Sequence, residues 1–173
     1  MDRQDDEGVT AFVRASYGRL LHEAFLLCGD AGRAEDLVQT TLAKTVVVWS
    51  RLQRSEGIDN YVQRTLINTY LSARRRRAWW ELPFGRLMES QARDEYAGVE
   101  QRDWLRRALD ALPPRQRAAV VLRFYGDLSE QDAALALGCS VGTVKSLTSR
   151  GLRALRQRWV ELDATAEHEV RYA

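Results

Sequence analysis

Apolar residues recur at helical spacing along nearly the whole chain. In the first segment Val9, Phe12, Val13, Tyr17, Leu20, Leu21, Ala24, Phe25 and Cys28 step by three and four, which is one buried stripe of an amphipathic helix. Gly29-Asp30 ends that helix, and Asp30 is placed to cap the next by accepting a backbone N–H bond. The second helix carries Ala34, Leu37, Val38, Leu42, Val46, Trp49 and Leu52 inward and stops near Ser55-Glu56-Gly57. A third begins near Asp59, with Tyr61, Val62, Leu66, Tyr70 and Ala73 on one face. Three helices with short connections predict a compact bundle.

Between Glu81 and Gly98 the pattern decays, broken by Pro83, Gly85 and Gly98, and reads as a linker. Trp104, Leu105, Ala108, Leu109 and Leu112 restart a helix that Pro113-Pro114 closes, since proline lacks the N–H that would continue it. Pro114 suits the first turn of the next helix, through Ala118, Val121, Leu122 and Tyr125 to a stop at Gly126. No alternating strand pattern, internal repeat or low-complexity tract occurs. The expectation is an all-α chain of two small helical domains. An N-terminal helix bundle over 1–80 and a C-terminal four-helix domain with a helix-turn-helix over 100–160 are joined by a flexible linker at 81–99, with a tail at 161–173.

The helix-turn-helix is the sharpest local signal. In the segment from Leu128 to Arg153, Ser129 and Asp132 form a capping-box-like pair ahead of a short helix that packs Ala133, Ala134 and Leu137. Gly138 supplies a left-handed turn and Ser140 caps the following helix. In that second helix Val141, Val144, Thr148, Leu152 and Leu155 share an inward stripe. Gly142, Lys145, Ser146, Ser149, Arg150 and Arg153 then face out, short polar donors and cations of the kind that enter a major groove.

Charge strengthens this reading. Of 173 residues 45% are hydrophobic, enough to build a core, and 26 basic side chains nearly balance 24 acidic ones. The net charge of +2 says little, but its distribution says more. From Asn60 to Trp80 the only charges are Arg64, Arg74, Arg75, Arg76 and Arg77; from Ala133 to Val160 they are Lys145, Arg150, Arg153, Arg156 and Arg158. Two acid-free basic stretches suit two contacts with a polyanion. The apolar run Val46–Trp49 is far short of the ~20 residues needed to span a bilayer, and the acidic start is no secretory signal. Cys28 and Cys139 cannot alone form a disulfide framework or a four-ligand metal site. A cytoplasmic protein with no membrane insertion, no metal and no cofactor is expected.

These motifs add up to a resemblance. Leu112-Pro113-Pro114-Arg115-Gln116-Arg117, then Leu128-Ser129 and Cys139 through Ser146, resemble the C-terminal promoter-binding domain of bacterial RNA polymerase sigma factors. The group it is most similar to is the small extracytoplasmic-function (ECF) group of the sigma-70 family. Gly29-Asp30, Ala34 through Gln39 and Trp49 resemble the second conserved region of that family. Tyr61-Val62-Gln63-Arg64 with Asn68-Thr69 and Arg74–Arg77 resembles its promoter-melting helix. The likeness covers roughly residues 9–160.

The resemblance implies a division of labour. Asp36 and Gln39 would dock on the clamp coiled coil of core RNA polymerase. Arg64, Asn68, Arg74, Arg75, Arg76 and Arg77 would bind and help melt the minus-ten promoter element. Lys145, Ser146, Ser149 and Arg150 would read the minus-thirty-five element, with Thr143, Arg115 and Arg117 on phosphates and the domain seated on the polymerase flap. Trp79 and Trp80 would either stack on unpaired bases or cover the end of the bundle. An anti-sigma factor is a possible partner. Thr40 stands where relatives often carry glutamate, and Leu147 where a basic residue is common in the recognition helix.

An enzyme is the weaker class. His22 and His168 are far apart, and no phosphate-binding glycine loop, nucleophile–base arrangement or metal-ligand spacing occurs. A stand-alone helix-turn-helix repressor or activator is the alternative. It would bind DNA by itself, usually as a symmetric dimer.

Overall fold

The computed structural model describes residues 3–53, 57–80 and 100–171, with side chains described over 7–52, 57–76 and 104–160. The expected linker at 81–99 lies outside the described residues. The chain forms α1 (Arg3–Cys28), α2 (Ala31–Val47), α3 (Trp49–Gln53), α4 (Ile58–Trp80), α5 (Glu100–Asp110), α6 (Pro114–Phe124), α7 (Glu130–Leu137) and α8 (Val141–Arg171). No strand occurs among the described residues, so the all-α expectation stands.

α1, α2 and α4 pack around Leu20, Ala24, Leu27, Leu37, Val38, Val62, Leu66 and Ile67, all buried. Asp30 caps α2 as expected, its Oδ1 accepting from the Arg33 N–H at 2.9 Å. The second helix is not continuous to Leu52. The Thr41 and Thr45 hydroxyls donate to the Leu37 and Thr41 carbonyls (2.8 and 2.9 Å), back-bonding of the kind that bends helices. The β-branched run Thr45-Val46-Val47-Val48 follows. The chain breaks at Val48 and restarts as α3, with Trp49 buried beside Phe12 at a ring separation of 5.4 Å. Ala73, expected on the inner face of α4, is exposed.

In the C-terminal half Ser129 Oγ accepts from the Asp132 N–H (3.1 Å), Gly138 sits at φ +59°, and Ser140 Oγ accepts from the Thr143 N–H (3.2 Å). Gly151 does what no motif announced. A Cβ there would come within 2.6 Å of Val120 Cγ2, so the missing side chain lets α8 cross closely over α6. The expected tail continues α8 as far as Arg171.

The two halves do not stand apart. α4 packs on α7, and α1 packs on α5 and α6, so one apolar core runs from Leu20 and Leu66 through Ala118 and Leu122 to Val144. His22 of α1 stacks on Tyr125 with ring centroids 4.9 Å apart.

Candidate nucleic-acid interface

Helices α4, α6 and α8 carry the expected DNA-facing residues, and packing decides which of them reach solvent. On α4, burial of Val62, Leu66, Ile67 and Tyr70 turns Arg64, Asn68, Arg75 and Arg76 outward, where all four are exposed. Lys44 of α2 adds a cation to this side, its Nζ donating to Thr69 Oγ1 at 3.1 Å. Arg74 differs from its neighbours. It is half-buried, and its charge reaches Cys28 and Tyr70. The side chains of Arg77, Trp79 and Trp80 lie outside those described.

On α8, Val144 is fully buried, and Gly142, Thr143, Lys145, Ser149, Arg150 and Arg153 are exposed. Ser146 is half-buried, at the edge of the outward face. Leu147 packs against the core rather than joining that face. Lys145 is paired with Glu130 of α7 at 3.3 Å, so the acid-free face of α8 borrows one carboxylate from its neighbour. Beside it opens a cleft lined by Lys145, Ser149, Arg153 and Arg156 of α8 and by Arg123 and Phe124 of α6. Arg123 went unnoticed in the sequence because it lies outside the recognition helix. Its guanidinium donates to the Leu128 carbonyl and braces the turn into α7.

The two phosphate candidates on α6 part company. Arg115 is exposed, with Nη2 donating to the Leu137 carbonyl at 3.1 Å. Arg117 is only 1% exposed, which overturns its expected place on the surface. Its Nη1 donates to the Leu27 carbonyl at the end of α1 (2.8 Å) and lies 2.7 Å from Asp110 Oδ1. Helix phase could have located it, because Val120 and Val121 follow at three and four residues and both are buried. Nearby, burial pushes the Cys28 thiol up to about 11, against the pull of Arg33, Arg117 and Arg74. A thiol so protonated is a small core group, not a nucleophile.

Asp36 and Gln39 lie on the exposed side of α2, opposite Leu37 and Val38 in the core, and share that side with Glu35 and Thr40. No group of His, Cys, Asp and Glu able to hold a metal occurs among the described residues. Among them, no helix is long and apolar enough to cross a membrane.

The family model described as Sigma-70 region 2 matches residues 12–80, and Sigma-70, region 4 matches residues 102–155. The RNA polymerase sigma-E factor of Streptomyces coelicolor is 39% identical over 163 residues, covering 92% of both chains. The chain belongs to the sigma-70 family, in its ECF group. The ECF RNA polymerase sigma factor EcfG of Rhodopseudomonas palustris is 34% identical over 131 residues, covering 73% of this chain and 71% of its own. Among solved structures, the sigma factor RpoE of Bartonella quintana, crystallised in complex with the anti-sigma factor NepR, aligns at a TM-score of 0.73 with 28% identity. That alignment covers 87% of this chain and 95% of that one. CnrH, in complex with the cytosolic domain of CnrY, shares the fold at a TM-score of 0.63. The protein is therefore an RNA polymerase sigma factor, and the repressor alternative is not favoured.

Proposed function

We propose that this sigma factor works through a specific assignment of faces. The exposed side of α4, with Arg64, Asn68, Arg75 and Arg76, binds the minus-ten element and holds it as it melts. Arg74 and Arg77, from the same stretch of sequence, are assigned to phosphates of the same element. The N-terminal half of α8 reads the minus-thirty-five element, with Lys145, Ser149 and Arg150 on base edges and phosphates, Ser146 at the margin, and Thr143 and Arg115 on phosphates. Asp36 and Gln39 meet the polymerase clamp, and the C-terminal unit sits on the flap. The protein performs no catalysis of its own and acts in the cytoplasm, where polymerase and promoter are.

The observation that carries the reading is the pairing of two exposed cationic faces, on helices from the two matched regions, whose own sequences hold no carboxylate between Asn60 and Trp80 or between Val141 and Val160. Phosphate neutralisation supplies affinity, whereas base-edge contacts supply sequence choice. Flipping or splaying a base out of the stack costs a few kcal/mol, and the α4 face is suited to offset that cost.

The test is specific initiation on linear promoter DNA by core polymerase with and without the purified protein. Arg150→Ala should weaken upstream-element binding and leave polymerase docking intact, and Asp36→Ala with Gln39→Ala should do the reverse. If both variants lost polymerase docking equally, the assignment of faces would be wrong.

A further inference from the structure

The cleft between the end of α6 and α8 holds more positive charge than base reading uses. Arg123, Lys145, Arg153 and Arg156 line it against a single carboxylate, Glu130, which Lys145 already holds at 3.3 Å. Arg153 and Arg156 are exposed and pair with no carboxylate among the described residues. Arg123 gives one N–H to the Leu128 carbonyl, which fixes its guanidinium in the cleft wall and leaves its remaining N–H groups to a ligand. Arg150, a reader of the upstream element, does not line the cleft.

Two further features set the cleft apart from a plain phosphate groove. Phe124 lines it with 63% of its surface exposed, a position that gives an aromatic face to whatever enters. Thr148 lines it too, and its hydroxyl is buried with no hydrogen-bond partner. The volume is about 510 Å³, within the ~300–1,000 Å³ of small-molecule sites.

Cations and an aromatic face in one cleft suit a ligand that brings both phosphates and an uncovered base. Duplex DNA lacks the second, because its bases are stacked on one another and Phe124 would meet only sugar. A single strand has open bases but spreads its phosphates one per nucleotide. Here four cations and one carboxylate leave a net charge of +3 in one place. A nucleoside di- or triphosphate brings about three or four negative charges with one base. Guanidinium forks take phosphate oxygens two at a time.

We propose that the α6–α8 cleft is a site for a free nucleoside di- or triphosphate, its base stacked on Phe124 and its phosphates on Arg123, Arg153 and Arg156. The site shares Lys145 and Ser149 with the face assigned to the minus-thirty-five element. Resting on that assignment, an occupied cleft and a bound upstream element exclude each other, and nucleotide level sets how firmly the sigma factor holds promoters that depend on the element.

Titration calorimetry of the full-length chain with GTP tests the site. One GTP should bind per chain, more weakly as salt rises. Phe124→Ala should weaken GTP about tenfold, within the worth of one base–aromatic stack, and leave inorganic tripolyphosphate binding as it was. Arg153→Ala with Arg156→Ala should weaken both. These three side chains are exposed, so their loss leaves the core intact, and unchanged helical circular dichroism checks it. Absence of GTP binding at low salt, equal affinity for GTP and tripolyphosphate, or an unchanged affinity in Phe124→Ala overturns the proposal. A single-stranded oligonucleotide that displaces GTP and binds more tightly overturns it in favour of a strand.

The exclusion is read on the holoenzyme. GTP without magnesium should lower promoter-complex formation several-fold more with wild type than with Phe124→Ala, since the polymerase's own nucleotide site is common to both. If GTP binds the free chain but the two holoenzymes respond alike, the assignment of α8 falls and the site stands. If GTP does not bind while the holoenzyme initiates normally, the site alone falls.

Discussion

The helix-turn-helix and the N-terminal bundle are held together by different kinds of contact. In the first, side chains three residues apart do the work: Ser129 with Asp132, Ser140 with Thr143, and the left-handed Gly138 between. In the second, the polar contact that matters spans 40 residues, from Glu23 on α1 to Gln63 on α4. Glu23 is fully buried and accepts from Gln63 Nε2 at 3.0 Å, leaving Glu23 Oε1 and Gln63 Oε1 with no partner. A unit specified locally keeps its shape in most conditions. A unit pinned by one buried carboxyl is sensitive to that group's proton.

The largest expected effect breaks the bundle at this pin. Burial raises the Glu23 carboxyl above its ordinary value of 4.5, against the lowering influence of Gln63 and then of Arg19. Between 4.5 and its folded value the native state therefore holds more protons than the unfolded chain. Stability falls as pH rises through that window and levels off above it. Gln63→Leu, which removes the donor to the charged form, should steepen the fall and cost about 3 kcal/mol at pH 8, less at pH 5. Glu23→Gln should flatten it. Urea denaturation at several pH values measures both, and equal slopes for wild type and Glu23→Gln would show that the carboxyl does not titrate as its burial requires.

Next comes the C-terminal unit at its tightest crossing. Gly151→Val puts branched carbon where only 2.6 Å separates an added Cβ from Val120, and the Gln116 carbonyl at 3.5 Å limits retreat. Overpacking of this sort costs about 1–3 kcal/mol. The loss should appear as a lower melting temperature with no change in the pH slope set by Glu23. A local cap is worth less. Ser129→Ala should cost about 1 kcal/mol by releasing the Asp132 N–H, again independently of pH.

The same contrast explains what could be read from the chain before its structure. Caps and turns are short-range, so Ser129, Gly138 and Ser140 announce the second unit in linear order. Arg150 and Lys145 face out because Val144 faces in. Glu23 and Arg117 were hidden because charged residues on a helix are ordinarily taken as solvated, although each lies three or four residues from buried apolar neighbours. Their burial depends on what packs against them, Gln63 in one case and the end of α1 in the other. The joining of the two halves into one core was equally invisible, since apolar stripes specify that a face is covered but not by which helix.

The smallest expected effect separates the two cationic faces. On α4 the exposed arginines Arg64, Arg75 and Arg76 show no ion pair to a described carboxylate, whereas on α8 Lys145 is held by Glu130 at 3.3 Å. An exposed pair of this type is worth about 0–1 kcal/mol, and Lys145 must give it up to contact DNA. Glu130→Gln should therefore raise promoter affinity of the holoenzyme by up to about fivefold at low salt, with the gain shrinking as salt screens the pair. In a Lys145→Ala background the same change should do nothing, because the cation it releases is gone. A gain that persists without Lys145 would mean that Glu130 acts on DNA through general repulsion. The C-terminal face would then be as unencumbered as that of α4.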